Sequence, residues 1–314
     1  MAASLRTRQL INAAVFLGPA TFLLVGLLVF PIVLDVVIAF TDMALTVKIG
    51  GFTGEQFAKI AHVTDTFPGI TLRSSFWRAM VKTAIYVVFT LFLFNTGFAL
   101  VLALTTTALP DRLGSFFRAV WLLPRMSPSV VYGLLWLWTV DPTERGLLNQ
   151  IASHLFGADP INMKLHHPMT LIVLANGFIG ASLGMIILTS AIRAIPQHLF
   201  HAARADGAGP LSIARHIVLP ALRWPLSYIT VFQSLALIVS FEYIFLIMGP
   251  ARSTMTLAMV AYTKTLAPGI GAGQYAYGAA ITMILIVLGI TVSLLLWRFT
   301  NMRALLARPR IEVQ

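Results

Sequence analysis

The chain carries six apolar segments that are each long enough to cross the hydrocarbon core of a membrane, which takes about 20 helical residues. The segments run over residues 11–40, 83–105, 117–140, 169–192, 225–248 and 275–297. Only 11% of the residues are charged, against roughly 25% in soluble domains, so we expect lipid to surround much of the chain. The first segment is longer than the apolar core of a signal peptide, about 7–15 residues, and we interpret it as a retained helix. The sequence therefore predicts an all-α membrane protein with six transmembrane helices.

The distribution of Lys and Arg predicts the orientation of these helices. The formal net charge is +11, but the basic residues lie mostly in short stretches between the apolar segments, so we expect no nucleic acid partner. Arginine is denser in the connections that share a side with the N-terminus than in the longer connections opposite. Since cytoplasmic connections carry the excess of basic residues, we expect both termini in the cytoplasm. No soluble region stands out, and residues 1–314 are expected to form a single transmembrane domain.

Several catalytic and binding chemistries have no basis in this sequence. It has no cysteine, no G-x-x-x-x-G-K-[ST] loop for nucleotide phosphates and no H-E-x-x-H zinc motif. His166 and His167 are adjacent, a spacing that does not place both rings on one helix face. We therefore expect no catalytic residue, no metal site and no cofactor bound by this chain.

Three charged residues are embedded in the apolar segments, Asp35, Arg125 and Glu242, whereas Arg118 lies only at the edge of the third. A charge in the membrane is costly, so such residues are functional candidates by default. Asp35 and Glu242 lie toward the outer ends of their segments and Arg125 toward the inner end of the third, where snorkelling or structural pairing is an equally good interpretation. An ion-coupled carrier would need a deeper relay of ionisable residues than these three provide.

The connection between the fourth and fifth segments, residues 193–222, carries the most informative pattern. A proline suited to the first turn of a helix begins each half of it. The first half has an apolar face that includes small alanines, and an Asp-Gly pair ends it because glycine tolerates positive φ. The prolines are Pro196 and Pro210, the face is Leu199, Ala202 and Ala203, and the break is Asp206-Gly207. The pattern predicts a helix–turn–helix on the cytoplasmic side.

This connection resembles the EAA motif of ABC importer permeases, roughly I-P-x-x-L-Y-E-A-A-x-x-D-G-A followed further on by I-x-L-P. The matching residues are Ile195, Pro196, Leu199, Ala202, Ala203, Asp206, Gly207, Ala208, Ile217, Leu219 and Pro220. His201 replaces the family's glutamate, and Phe200 its usual tyrosine. Other stretches, among them residues 122–138 and 241–250, are similar to the carbohydrate, maltose-permease-like class of these subunits.

The resemblance implies the type I ABC importer permease fold, with a cytoplasmic coupling helix, in the inner membrane of a bacterial cell. It implies the permease subunit of an ATP-driven, binding-protein-dependent importer for a sugar or sugar-like solute. The implied partners are a second homologous permease, two ATPase subunits that bind ATP and Mg²⁺, an extracytoplasmic solute-binding protein and membrane lipid. The alternatives are an ion-coupled secondary carrier and an importer permease for a polyamine or another non-sugar solute.

The resemblance also implies site residues, position by position. Contact with the ATPase would fall on Leu199, His201, Ala202, Ala203, Asp206, Gly207, Ala208 and Pro220. On the fourth segment, an i, i+3, i+4, i+7 spacing forms one helix face, which lies in register with the sugar-contacting face of the family. The implied solute contacts are Asn176, Ile179, Gly180, Leu183, Gln233, Leu237, Ser240 and Glu242, with Ala236 beside them.

Other interpretations of that face remain open. Asn176 and Gln233 would serve equally well as hydrogen-bond partners of neighbouring helices. Gly177, Gly180 and Gly184 lie on the same segment, and the pair Gly180 and Gly184 has the spacing that lets helix backbones approach closely. The partner permease would then hold the solute alone. On the outer side, residues 141–149 and 249–265 are expected to meet the binding protein.

Overall fold

The computed structural model describes residues 15–44, 49–62, 75–266 and 273–299. These residues contain helices and no strand, apart from one isolated bridge between Thr41 and Phe52, which confirms the all-α class. The helices are α1 (Val15–Ala39), α2 (Glu55–His62), α3 (Phe76–Ala108), α4 (Asp111–Met126), α5 (Ser129–Thr139), α6 (Leu147–Phe156), α7 (Pro168–Arg193), α8 (Gln197–Ala205), α9 (210–221), α10 (Arg223–Ile238), α11 (Glu242–Met248), α12 (Leu257–Thr265) and α13 (Tyr275–Phe299). Residues 11–14 of the first predicted segment lie outside the described residues.

Four of the described helices are long and apolar enough to cross a membrane: α1, α3, α7 and α13. A fifth crossing is formed if α10 and α11 are taken together, although their axes differ by 52°. The third predicted segment, 117–140, is not one helix. It is divided at Ser127-Pro128 between α4 and α5, because the residue before a proline is pushed out of the α region and Ser127 has ψ 144°. Six crossings therefore remain a prediction.

The fifth predicted segment, 225–248, is also interrupted, between Ile238 and Glu242. Phe241 leaves the helical region with φ −133°. Glu242 then begins α11, where its negative charge is favoured by the helix dipole. No proline or glycine marks this break in the sequence, so hydropathy alone indicated a continuous helix.

Contacts divide the chain into two compact units. The first contains Met1–Ser74 and Val260–Ile284. Within it, the carboxylate of Asp42 accepts hydrogen bonds from the N–H groups of Gly51 (3.0 Å) and Gly50 (2.8 Å), which hold the pKa of Asp42 below its ordinary value. The N–H of Ala276 donates to the oxygen of Met43 at 3.0 Å.

The second unit contains Ser75–Met259 and Leu285–Gln314, and its centre is the contact between α3 and α7. Gly177 packs against the ring of Phe94, and Gly180 against the side chain of Asn95. A Cβ atom at Gly184 would lie 2.5 Å from the backbone oxygen of Asn95. The predicted small-residue spacing thus brings the two helices into close contact.

Candidate functional site

The second unit contains a cavity of about 330 Å³ at the middle of α7. Residues of α3, α4, α7, α10 and α11, together with the break between the last two, line it. The lining residues are Asn95, Arg125, Asn176, Ile179, Gly180, Leu183, Phe232, Gln233, Ala236, Leu237, Ser240 and Tyr243. A cavity of this volume lies at the lower end of the range of small-ligand sites, about 300–1,000 Å³.

The cavity brings together seven of the eight residues expected to contact solute, and Ala236 with them. Glu242 is not among the lining residues; it is exposed at the first position of α11. The break before α11 changes the helical register, so Ser240 and Tyr243 line the cavity and the two residues between them, Phe241 and Glu242, do not. What these residues bind stays a prediction.

A buried hydrogen-bond network fixes one wall of the cavity. The side-chain amide of Asn176 donates to the hydroxyl of Tyr86, and also to Ser240 Oγ at 3.2 Å. Tyr86 is fully buried, and its hydroxyl donates to Ser240 Oγ at 3.3 Å. The interpretation of Asn176 as a partner of neighbouring helices is thus correct, yet the residue still lines the cavity.

A second part of the lining depends on a local change in α3. Residues Thr90–Phe98 form a π-helical stretch, a rare geometry that often marks functional sites. The side-chain amide of Gln233 donates to the backbone oxygen of Asn95 at 3.4 Å, so Gln233 also contacts a neighbouring helix. The side-chain oxygen of Asn95 is buried and has no hydrogen-bond partner.

Four lining residues were not assigned to the site from the sequence: Asn95, Arg125, Phe232 and Tyr243. Arg125 was noted only as an ionisable residue near a helix end. The structure places it in the last turn of α4, near the middle of the interrupted segment 111–139, because α4 begins at Asp111 rather than at residue 117. Asn95 carries no distinguishing pattern, since the helix contact that buries it depends on a partner far away in sequence.

Aromatic packing holds Tyr243 in place beside the cavity. Its ring meets that of Tyr132 edge-on, with centroids 5.7 Å apart. Tyr132 in turn donates its hydroxyl to the backbone oxygen of Ala175 at 2.7 Å. Edge-to-face contacts of this kind are favourable beyond the area that they bury, so α5, α7 and α11 together orient the ring.

The segment 193–222 folds as the sequence predicted, into two helical stretches around a turn. Gly207, with φ +78°, ends α8. The N–H of Ala208 donates to the oxygen of Ala203 at 2.9 Å, and that of Gly207 to the oxygen of Arg204 at 3.0 Å. This pair of bonds is the Schellman motif, which usually places glycine at the position of positive φ.

One side of this segment packs on the transmembrane helices, and the other is exposed. Phe200, Ile213 and Ile217 pack against a core formed by residues of α3, α7, α9 and α10. Leu199 is 42% exposed and Leu211 83% exposed. His201, Ala202, Asp206, Gly207 and Pro220 are also exposed, and Ala203 and Ala208 are half-buried. An apolar surface therefore remains uncovered by the described residues of this chain.

Residues 141–149 form a loop and the first turn of α6, and the buried amide of Asn149 in that turn fastens the loop. The side chain of Asn149 donates to the oxygens of Asp141 (3.0 Å) and Thr143 (3.2 Å) and accepts from the N–H of Ile161 at 3.0 Å. The hydroxyl and N–H of Thr143, together with the nearby charge of Arg145, hold the pKa of Asp141 below its ordinary value. The loop therefore has one defined conformation.

The second stretch expected to meet the binding protein, 249–265, is largely buried in its second half, and its contact with that partner stays a prediction. Leu257 begins α12 and is fully buried, as is Met259. The hydroxyl of Thr83 accepts the N–H of Leu257 at 2.9 Å, and Lys82 donates to the oxygen of Arg252. Only the beginning of the stretch, around residues 250–253, offers an accessible surface.

Comparisons with known proteins agree on one family. Residues 95–300 match the family model described as binding-protein-dependent transport system inner membrane component. A probable ABC transporter permease protein of Pyrococcus horikoshii is 30% identical over 308 residues, covering 94% of this chain and 98% of that protein. The galactooligosaccharides transport system permease protein of Bacillus subtilis is 27% identical over 302 residues, covering 91% and 69%. A bacterial ABC transporter involved in the import of the acidic polysaccharide alginate has a similar fold, with a TM-score of 0.76 at 20% identity over 94% of this chain and 96% of that one.

Proposed function

The chain belongs to the family of binding-protein-dependent transport system inner membrane components, and from that premise we propose that it is the permease subunit of an ATP-driven importer for a sugar or sugar-like solute. It has the type I ABC importer permease fold and is a multi-pass protein of the inner membrane. In the proposed importer it acts with a second homologous permease, two ATPase subunits and an extracytoplasmic binding protein. ATP and Mg²⁺ bind to the ATPase subunits, and this chain contributes movement and a lining rather than bond chemistry.

The observation that carries the sugar assignment is the convergence of seven implied solute contacts on one cavity. Amide and hydroxyl groups of Asn176, Gln233 and Ser240 supply both donors and acceptors, which a polyol can match. The rings of Phe232 and Tyr243 add apolar faces that suit the carbon face of a sugar ring. The relative named for galactooligosaccharides, which covers 91% of this chain, supports the same solute class.

We assign α8 the role of the coupling helix that docks on an ATPase subunit. Its support is the EAA-like pattern, the exposed apolar side chains of Leu199 and Leu211 and the rigid turn at Gly207. Ala202 is small enough for close approach of a partner. His201 is exposed beside it and would supply a hydrogen bond where the family has a glutamate.

The packing of this segment gives the proposed mechanism a physical path. Val218 and Leu222 of the segment share a buried core with Leu188 of α7 and Ile229 of α10, and both of these helices line the cavity. Because packed cores transmit displacement instead of absorbing it, movement of α8 toward its partner would shift the cavity walls. ATP binding would open the cavity outward, and hydrolysis would reset it.

The proposed topology has six crossings with both termini in the cytoplasm. In this arrangement α4 with α5 forms the third crossing and α10 with α11 the fifth. Interrupted helices at membrane depth are tolerated where they line a cavity, and both breaks lie next to lining residues, Arg125 and Ser240.

The test is an importer assembled from this chain, its partner permease, the ATPase subunits and the binding protein in vesicles. We expect the sugar-loaded binding protein to accelerate ATP hydrolysis and sugar uptake to require ATP on the ATPase side. An ion-coupled carrier would instead take up solute without ATP and lose uptake when ionophores collapse the ion gradients. Stimulation by a polyamine but by no sugar would contradict the sugar assignment while leaving the permease role intact.

A further inference from the structure

Arg125 is the one charged residue among the residues that line the cavity. A guanidinium stays protonated at every physiological pH, so the cavity wall carries a permanent positive charge. No ion pair or hydrogen bond joins Arg125 to another residue within the described ranges. The C-terminal end of α4 favours a cation in its last turn, which stabilises the charge there without neutralising it.

Glu242 is the nearest candidate to neutralise Arg125, and it does not do so. Both charges act on Tyr243. Tyr243 lines the cavity together with Arg125 and directly follows Glu242 in the chain. Glu242 is itself exposed and lies outside the lining residues, and no ion pair links the two side chains among the described residues. The positive charge therefore dominates the lining.

A second, independent feature of the same cavity also calls for a ligand. Asn95 lines it and is only 1% exposed, and its side-chain oxygen has no hydrogen-bond partner. A buried acceptor without a donor is costly. A hydroxyl group of a solute would supply the missing hydrogen bond, which an apolar filling of the cavity would not.

We propose that the solute is an anionic sugar, whose carboxylate, sulfonate or phosphate group binds Arg125 while one of its hydroxyl groups donates to the side-chain oxygen of Asn95. The guanidinium fork matches the oxygens of such groups bidentately, and this match selects the acidic sugar over its neutral counterpart. The proposal rests on the sugar-importer function proposed above and adds the solute's charge. The proposal makes Arg125 a specificity-determining residue, although it was not among the solute contacts implied by the sequence.

The experiment compares sugars that differ only at carbon 6. The probes are methyl glucoside, methyl glucuronide, methyl sulfoquinovoside and methyl glucoside 6-phosphate, with cellobiose and its uronic acid counterpart as the disaccharide pair. Binding to the ATP-trapped importer, with hydrolysis-deficient ATPase subunits and no binding protein, is measured by equilibrium dialysis. Uptake into vesicles with the binding protein is measured in parallel. The preferred probe distinguishes carboxylate, sulfonate and phosphate as the anionic group.

We expect the wild-type importer to bind an acidic probe at least about 10-fold more tightly than the neutral one, since hydrogen bonds to charged groups are the stronger class. Arg125→Gln should abolish this preference, and Arg125→Lys should retain part of it. Arg112→Gln, on the exposed surface of the same helix, is the matched control and should keep the full preference. Glu242→Gln should also keep it. Asn95→Ala should weaken binding of acidic and neutral probes alike.

Three results would overturn the proposal. The first is an importer that binds and transports neutral sugars as well as acidic ones, with the ratio unchanged by Arg125→Gln; the sugar-importer function would then stand without the charge selection. The second is loss of the partner permease from the Arg125→Gln complex with an unchanged ratio in Arg125→Lys, which would make Arg125 an assembly residue. The third is loss of binding in Glu242→Gln with a preference for cationic solutes. If no sugar is bound or transported at all, the proposed function itself fails.

Discussion

At the scale of single residues, the polar side chains around the cavity bind one another and also face its interior. Asn176 uses its amide N–H groups on Tyr86 and Ser240, while its side-chain oxygen accepts no hydrogen bond from the described residues. Because Asn176 both bonds to neighbouring residues and faces the cavity, the sequence left open whether it is a structural residue or a solute contact. A residue that bonds to neighbouring helices keeps a fixed orientation, and a fixed orientation is what a binding site needs.

A pair of substitutions separates the two roles of Asn176. Asn176→Leu should reduce solute uptake by about 10-fold or more, because both its donors and its free acceptor are lost. Tyr86→Phe removes the two hydrogen bonds of the Tyr86 hydroxyl but leaves the Asn176 amide in the cavity, still donating to Ser240, and it should retain most of the uptake. Uptake rates are compared at equal amounts of assembled importer. Equal losses in the two variants would make Asn176 a purely structural residue, and Gln233→Leu provides the corresponding test on α10.

The sequence predicted the residues of this face but not their surroundings. Asn176 to Leu183 could be placed because helical spacing is local and the coupling motif fixed the register. Asn95 and Arg125 could not be placed, since their positions follow from the π-helical stretch in α3 and from the early start of α4. Neither feature has a local pattern in the sequence, and both are settled by packing between distant helices.

At the scale of helices, the close contact between α3 and α7 depends on glycine at position 184. Gly184→Ala would place a Cβ atom 2.5 Å from the backbone oxygen of Asn95 and 2.6 Å from the Cβ of Ala99, and neither atom can rotate away. We expect a destabilisation of about 1–3 kcal/mol, seen as a lower unfolding temperature of the solubilised chain. Gly26→Ala in α1, where nothing lies within 4 Å, is the control and should not lower that temperature.

The turn after α8 allows an equally direct test of the coupling segment. Gly207→Val forces a β-branched residue to φ +78°, which costs about 1–2 kcal/mol or more, and should displace α8 and release the ATPase subunits on co-purification. Gly209→Val is the matched control two residues away, because Gly209 has φ −71° and open space around it. Retention of the ATPase subunits and of transport in Gly207→Val would show that this turn does not position the docking surface.

The same segment shows which elements the sequence could predict. Its prolines and its Asp-Gly pair are local signals, so its two helices and their turn were placed correctly. The interruptions at Ser127-Pro128 and Val239–Phe241 were harder. The first carries a proline but lies within a continuous apolar run. The second carries no local signal, and Ser240 within it shares hydrogen bonds with Asn176 and Tyr86, which lie far away in sequence.

At the scale of the whole molecule, the proposed importer must receive its solute from a binding protein on the outer side. Residues 141–149 are suited to such a docking surface because Asn149 holds them in one conformation through three hydrogen bonds. A preorganised loop binds its partner without the entropic cost of ordering. The stretch 249–265 offers less surface, since its second half is buried in α12.

Asn149→Ala should therefore weaken the stimulation of ATP hydrolysis by the binding protein more than it changes hydrolysis without the binding protein. Removing the amide takes away its three hydrogen bonds to Asp141, Thr143 and Ile161, each worth about 0.5–1.5 kcal/mol, and frees the loop. We expect the concentration of loaded binding protein needed for half-maximal stimulation of ATP hydrolysis to rise several-fold, while hydrolysis without the binding protein changes little. Ser153→Ala, exposed on the same helix α6, serves as the control. A normal response in Asn149→Ala would place the docking surface elsewhere, and crosslinking from residues 250–253 would then be the next measurement.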